Sequence, residues 1–169
     1  MIRASRQEDA AAVLGIYGPV VESTPASFET EVPTENDIAG RMRASHLWLV
    51  HERESVVTGY AYAAPFHRRG AYRWSVEVSV YVDEGERGRG VGPLLVARLL
   101  EEMRERGFVN AFGGITLPND ASVRLFEDFG FEQIALQKQV GFKLGRWHDV
   151  GWWQLHLRDP SVPPPALDA

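Results

Sequence analysis

A single carboxylate interrupts a run of valines near the middle of this 169-residue chain. The stretch reads Val76-Glu77-Val78-Ser79-Val80-Tyr81-Val82, an alternation typical of a β-strand. Successive side chains of a strand point to opposite faces, so Glu77 shares a face with Ser79 and Tyr81, and the valines take the other face. Glu77 is therefore either a functional carboxylate, such as a general base, or a structural one that is exposed or paired with nearby Arg73.

A glycine-rich turn follows this strand and leads directly into an amphipathic helix. The turn reads Arg87-Gly88-Arg89-Gly90-Val91-Gly92. Glycine allows tight curvature and removes the Cβ atoms that would keep backbone N–H groups away from an anion, and the helix start adds unpaired N–H donors. We interpret the turn as a cradle for a pyrophosphate, with Arg87 and Arg89 adding positive charge. The alternative is a surface turn whose arginines are solvated.

Hydrophobic periodicity predicts the elements that must position these residues. Helices are expected over residues 9–17, 34–44, 93–107 and 119–130, and strands over residues 2–4, 47–51, 56–64, 74–82, 108–117, 134–142 and 150–157. The glycine turn then lies inside a right-handed βαβ unit, and Phe28 lies in a loop over residues 23–33. One domain, residues 1–159, precedes a proline-rich tail, residues 160–169, which is expected to be extended and mobile.

Composition excludes several classes of protein. The chain has no cysteine, so neither disulfides nor thiolate metal sites are possible, and its five histidines lack metal-ligand spacing. A net charge of -5 argues against a general nucleic-acid binder, and no apolar run approaches the length of a membrane span. We expect a cytoplasmic protein that binds a small anionic partner and no metal, nucleic acid or membrane.

Four separated blocks of sequence carry a family resemblance: residues 61–65, 76–82, 117–125 and 141–151. In this order they resemble the GNAT family of N-acetyltransferases, and within it the phosphinothricin and methionine sulfoximine N-acetyltransferases. The resemblance implies an α+β, three-layer fold with a mixed, mainly antiparallel sheet flanked by helices. In that fold the strand ending at Val82 and the strand starting near Asn110 are parallel neighbours that splay apart to admit acetyl-CoA.

The same resemblance implies roles for individual residues. Glu77 would be the general base that frees the lone pair of an amine, and backbone N–H groups near Val80 and Val82 would stabilise the oxyanion. Arg73 would grip the carboxylate of an amino acid; the alternative is a solvated charge at the end of a strand. Phe28 and Tyr81 would form an apolar wall for the substrate side chain; the alternative is that they fill the core, as aromatic residues most often do. Acetyl-CoA would be contacted by Val80, Tyr81, Val82, Arg87, Gly88, Arg89, Gly90, Val91, Gly92, Asn119 and Ser122; the alternative for Asn119 is a helix cap, which it can also be while binding the cofactor.

One position departs from the family pattern. Many relatives carry Tyr, and the phosphinothricin enzymes His, where this chain has Phe126. A phenyl group cannot protonate the departing CoA thiolate. Solvent, Tyr81 or another group must then supply the proton, or the protein is a weakened or repurposed member of the family.

We therefore expect an enzyme that moves the acetyl group of acetyl-CoA, by direct attack, to the α-amine of a small amino acid or analogue. The resemblance also implies a homodimer, and the tryptophans at 147, 152 and 153 fit either a dimer contact or ordinary core packing. Two alternatives stay open: acetylation of peptide or protein amines, and a non-catalytic acyl-CoA-binding regulator.

Overall fold

Seven strands form one sheet with four α-helices packed on it in the computed structural model, which describes residues 1–168. The strands are β1 Ile2–Ala4, β2 Leu47–Arg53, β3 Val56–Pro65, β4 Ser75–Val82, β5 Asn110–Leu117, β6 Glu132–Lys143 and β7 Arg146–His156. The helices are α1 Ala10–Ser23, α2 Glu35–Ala44, α3 Val91–Glu105 and α4 Asp120–Asp128. The order in the sheet is β1-β2-β3-β4-β5-β7-β6.

The sheet is mixed and mainly antiparallel, as the family resemblance implies. Only β4 and β5 pair in parallel, and α3 forms the crossover between them. None of the helices within residues 1–168 is long and apolar enough to cross a membrane.

Most element boundaries follow local sequence signals. The predicted capping box is present at α2, where the Asp37 N–H donates to Thr34 Oγ1 at 3.2 Å and the Thr34 N–H donates to Asp37 Oδ2 at 2.8 Å. Helix α1 is longer than predicted because it continues past Pro19 to Ser23. Val20 and Val21 extend its buried face, and this packing outweighs the missing proline N–H.

Strands β4 and β5 separate after three residue pairs. Pairing runs from Ser75 with Asn110 to Glu77 with Phe112. Beyond that point β4 stays paired with β3 as far as Val82, and β5 stays paired with β7 as far as Leu117. A gap therefore opens inside the sheet toward the carboxyl ends of both strands, which confirms the implied splay.

The two faces of the sheet carry different helices. Helices α3 and α4 cover one face, where Val76 and Val78 of β4 pack with Leu95 and Phe126; we call it the α3 face. Helices α1 and α2 cover the other, the α1 face, and Tyr81 packs there. The alternation of β4 thus places valines and Tyr81 on opposite faces, as the sequence predicts.

The proline-rich tail lies along the amino end of β4 and the carboxyl end of α3. The indole N–H of Trp74 donates to the Pro165 carbonyl at 2.9 Å, and the Asp168 N–H donates to the Arg106 carbonyl at 3.0 Å. Leu167 packs against the core of the α3 face. The prediction of a mobile tail is therefore wrong for these residues. Prolines carry no packing signal in the sequence, and the half-buried indole N–H of Trp74 supplies the hydrogen-bond donor that holds the tail.

The replacement Gly113→Ala tests how closely α4 approaches β5. A Cβ at Gly113 would lie 2.8 Å from Phe126 Cδ1 and closer still to Cε1, so we expect the free energy of unfolding to fall by about 1–3 kcal/mol. The control is Gly15→Ala in α1, where no atom lies within 4 Å of the added Cβ and stability should be unchanged or higher. Denaturant unfolding measures both, and equal midpoints for Gly113→Ala and the native chain would contradict this packing.

Candidate active site

Glu77 lies at the point where the sheet forks. It belongs to the last pair that joins β4 to β5, opposite Phe112. Its side chain is half-buried, and burial raises the pKa of its carboxyl above the usual value for glutamate. No ion pair reaches this carboxylate from any part of the chain between residues 1 and 168, and Arg73 is exposed with its guanidinium 4.2 Å from the centre of the Trp74 ring. The pairing of Glu77 with Arg73 is therefore absent, and a half-buried, unpaired carboxylate favours the functional interpretation.

The backbone of β4 presents free hydrogen-bonding groups to the gap. The N–H of Asp83, directly after β4, donates to the Thr58 carbonyl of β3 at 3.0 Å. Because bonding directions alternate along a strand, Tyr81 also bonds toward β3, and the N–H groups of Val80 and Val82 point toward the gap. Strand β5 does not pair there, so these two N–H groups are available to a ligand. They are the donors for which the resemblance implies an oxyanion role.

The glycine turn has the predicted backbone conformation. Gly88 and Gly90 have φ angles of +74° and +81°, in the left-handed region that favours glycine. Gly90 caps α3 without any side-chain hydrogen bond, and the backbone N–H groups of Val91 and Gly92 find no acceptor in the described part of the chain. The turn therefore offers unpaired donors together with the positive end of the α3 dipole.

This helix start sits at the open end of the gap. A Cβ on Gly92 would lie 3.7 Å from the side chain of Val82, the last residue of β4, and 3.5 Å from that of Leu125 in α4. Arg87 and Arg89 are exposed beside it. Arg89 lies 3.4 Å from the carboxylate of Glu86, so part of its charge is already neutralised. Arg87 is the stronger candidate of the two for an anion.

The start of α4 borders the gap on the side of β5. Asn119 Oδ1 accepts a hydrogen bond from the Ser122 N–H at 3.2 Å, so Asn119 is a helix cap. Both residues are half-buried, directly after the end of β5. The contact of Asn119 and Ser122 with acetyl-CoA stays a prediction.

Five aromatic side chains line the α1 face beside Glu77, and we call them the aromatic floor: Tyr17, Trp48, Tyr60, Tyr62 and Tyr81. The ring of Tyr81 stacks on that of Tyr60 and meets the ring of Tyr17 edge-on, with both pairs of centroids 5.2 Å apart. Burial raises the pKa of Tyr81 well above 10. Of these five residues, only Tyr81 is predicted as a site residue from the sequence. Tyr60 and Tyr62 alternate with alanines in β3, and this alternation indicates that both tyrosines lie on one face of the sheet.

A polar network joins the aromatic floor to the loop over residues 24–33. The hydroxyl of Tyr17 lies 2.7 Å from Ser27 Oγ and donates to Glu29 Oε1 at 2.8 Å. Arg41 of α2 pairs with Glu29 through two N–H donors, at 2.6 and 3.0 Å. Sequence reasoning missed these residues because their partners lie 10 and 12 positions apart, outside any helical or strand spacing.

Phe28 lies between this network and the hairpin formed by β6 and β7. Its ring packs on Gly141, where an added Cβ would lie 2.7 Å from Phe28 Cδ2, and its centroid lies 6.2 Å from that of His148. The side chain is 38% exposed. Phe28 follows Ser27, which bonds to Tyr17 of the aromatic floor, and Tyr81 belongs to the same floor. That Phe28 and Tyr81 form an apolar wall beside a substrate stays a prediction.

Residues 1–168 hold no group of three or more histidine, aspartate and glutamate side chains arranged to bind a metal ion. His148 is buried, with Nε2 3.0 Å from the Lys143 carbonyl, so its ring is part of the hairpin. That no metal takes part stays a prediction.

Comparisons with known proteins bear on both the fold and this site. Residues 17–131 match the model described as Acetyltransferase (GNAT) family. The phosphinothricin N-acetyltransferase of Streptomyces viridochromogenes is 40% identical over 168 residues, which cover 98% of this chain and 92% of that protein. The L-methionine sulfoximine/L-methionine sulfone acetyltransferase of Salmonella typhimurium is 37% identical over 166 residues, which cover 96% and 97%.

A solved structure shows the same likeness in three dimensions. The crystal structure of a GNAT superfamily phosphinothricin acetyltransferase from Sinorhizobium meliloti, in complex with AcCoA, matches with a TM-score of 0.93 at 32% identity. The match covers 98% of this chain and 92% of that one. The likeness thus extends over nearly the whole chain and not only over the glycine turn.

Proposed function

This chain belongs to the GNAT acetyltransferase family, and we propose that it transfers the acetyl group of acetyl-CoA to the α-amine of a small amino acid or analogue. Phosphinothricin, methionine sulfoximine and methionine sulfone represent the class of acceptor. The observation that carries the proposal is the position of Glu77, a half-buried and unpaired carboxylate at the fork of β4 and β5.

Acetyl-CoA fits the chemistry of the gap. Its pyrophosphate would take the N–H donors of residues 88–92 and the charge of Arg87, and its pantetheine arm would lie along β4 in place of the missing strand partner. The thioester would then lie beside the N–H groups of Val80 and Val82, which stabilise the oxyanion that forms on attack. Asn119 and Ser122 complete the proposed cofactor site.

Glu77 supplies the base that this reaction needs. A substrate ammonium has no lone pair, so its proton must pass to Glu77, directly or through water, before the nitrogen attacks the acetyl carbonyl. The C–N bond forms and the nitrogen releases its second proton to water. The tetrahedral intermediate then collapses, the C–S bond breaks to release CoA as a thiolate, and Glu77 returns the first proton to solvent. No covalent enzyme intermediate is required.

The proton for the thiolate comes from solvent in this scheme. Phe126 has no proton to give, and its ring is buried against Gly113 and Phe131. Tyr81 lies on the α1 face, where burial raises its pKa well above 10, so it is a weaker acid than an exposed phenol and a poor proton donor to the thiolate. A thiolate is a tolerable leaving group, and turnover does not depend on an internal acid.

The acceptor would approach from the α1 face. Glu77 attracts its ammonium, and the apolar surface for its side chain comes from Phe28 and from Tyr62 and Tyr81, the two partly exposed members of the aromatic floor. Arg73 is the proposed partner of its carboxylate, although the guanidinium is exposed and stacked on Trp74 in this structure. The protein would act in the cytoplasm, without a nucleic-acid or membrane partner.

We further propose that the protein is a homodimer in which β6 and the hairpin turn contact a second copy. The apolar side chains exposed on this hairpin are Ile134, Leu136, Val140, Phe142, Leu144 and Trp147. Strand β6 is also an edge of the sheet, with one row of backbone groups unpaired. An exposed apolar edge is a feature that proteins normally cover with a partner.

Replacing Glu77 tests the activity. We expect Glu77→Gln to lower kcat/KM by about 10²- to 10⁴-fold for free amino acids, measured as acetyl-CoA-dependent thiol release with a panel of amino-acid analogues and peptides. The exposed Glu22→Gln is the control. Since burial raises the pKa of Glu77, the native activity should fall as the pH decreases through a value above that of an ordinary glutamate, because protonation removes the base. Turnover of peptides alone, or CoA binding without turnover, would favour the two alternative functions.

Two glycine replacements test the pyrophosphate cradle. Gly90→Ala and Gly145→Ala both place a side chain at a positive φ, +81° and +77°, with no atom within 4 Å of the added Cβ. Each should lose about 1–2 kcal/mol of stability through backbone strain. Only Gly90→Ala should weaken CoA binding in calorimetry, because Gly145 lies in the hairpin turn. Equal CoA affinities for the two variants would contradict the assignment of the cradle.

A charge on the hairpin tests the dimer. Leu136→Glu places a carboxylate on the exposed face of β6, so we expect it to shift the protein from dimer to monomer in sedimentation velocity. The control is Val56→Glu, an exposed position at the start of β3. A native protein that sediments as a monomer would rule out the proposed homodimer.

A further inference from the structure

Lys143 is a buried amine that the proposed chemistry does not use. It ends β6 with 8% of its surface exposed, and its Nζ donates to the Ser27 carbonyl at 2.7 Å. The chain has only one other lysine, Lys138, which is exposed on the same strand. Burial of an ammonium is unfavourable unless a partner compensates for the lost water, so the bond to Ser27 must be maintained for the amine to stay inside.

The residue after Ser27 makes a second contact with the same hairpin. The ring of Phe28 occupies the space over Gly141 that any larger residue would fill. Lys143 and Gly141 are two positions apart in β6, so together they hold two consecutive residues of the loop over residues 24–33. We call this set of contacts the loop latch: Ser27, Phe28, Gly141 and Lys143.

The loop latch lies just beyond the carboxyl end of β5, the end toward which β4 and β5 separate. Leu117, the last residue of β5, pairs with Asp149 of β7, and Gly141 pairs with His148, one residue beyond that end. The hairpin thus projects past the carboxyl end of β5, and there it meets the loop. The other side of the loop is fixed to the aromatic floor through the bonds of Tyr17 to Ser27 and Glu29.

We propose that Lys143 is a positioning residue that keeps Phe28 seated on Gly141 and thereby sets the size of acceptor side chain that the site admits. This inference rests on the proposed function for its acceptor, but the contacts themselves do not. With the amine removed, the Ser27 carbonyl loses its partner on the hairpin, the polar contacts that remain are those with Tyr17 and Arg41 on the α1 face, and Phe28 is free to move away from the hairpin.

The test is Lys143→Met, which keeps the length of the side chain and removes the donor, with Lys138→Met as the matched control. We expect the KM for a small acceptor such as methionine sulfone to rise roughly tenfold, equivalent to about 1.4 kcal/mol, with the KM for acetyl-CoA unchanged. The preference for small over bulky amino acids should also shrink. Hydrogen exchange over residues 24–33 should accelerate in this variant and not in the control.

Each outcome decides a separate part of the inference. Unchanged exchange over residues 24–33 would show that there is no latch, and faster exchange with unchanged acceptor KM and selectivity would show that the loop does not shape the site. A native protein that acetylates no amino acid would overturn the proposed function and the selectivity with it, whereas exchange would still report on the latch. If Lys143→Met does not fold, Gly141→Ala displaces Phe28 with the lysine in place, and the same measurements apply.

Discussion

The separation of β4 from β5 inside a continuous sheet is the constraint on which this structure depends. Elsewhere in the interior of a sheet, each strand forms hydrogen bonds with the backbone of its neighbour. Beyond Glu77, the facing backbone groups of β4 and β5 have no strand partner. An unpaired edge at this depth is unfavourable unless a ligand supplies the missing contacts. The opening therefore leaves backbone groups that a ligand or water must satisfy, and Glu77 lies where the opening begins.

Close packing on the α3 face holds the opening in the right relation to the anion-binding turn. A Cβ at Gly59 of β3 would lie 3.0 Å from Val91 and 3.2 Å from Leu95, so α3 approaches the sheet closely only because this position is glycine. That approach places the start of α3 beside Val82, at the end of β4. The N–H groups proposed to bind a pyrophosphate are thereby held beside the end of the strand that carries those proposed to face a thioester.

Local and periodic features could be predicted from the sequence, and long-range contacts could not. The alternation in β4 predicts that Glu77 and Tyr81 share one face. The glycines of residues 88–92 predict a tight turn immediately before a helix. The separation of the strands depends on the absence of pairing, for which no residue pattern exists, and it was expected only from family resemblance. The bond of Lys143 to Ser27 spans 116 positions and joins a loop to a hairpin, so neither residue carries a local signal of it.

On each side of the opening, a phenyl ring packs directly on a glycine. Phe126 lies on Gly113 toward α4, and Phe28 lies on Gly141 toward the hairpin. The first contact belongs to the α3 face and the cofactor side, and the second closes the α1 face, where the acceptor would bind. Because the sheet separates them, a change at one ring need not disturb the other. A fold arranged in this way can alter the amine that it accepts while it keeps one means of holding acetyl-CoA.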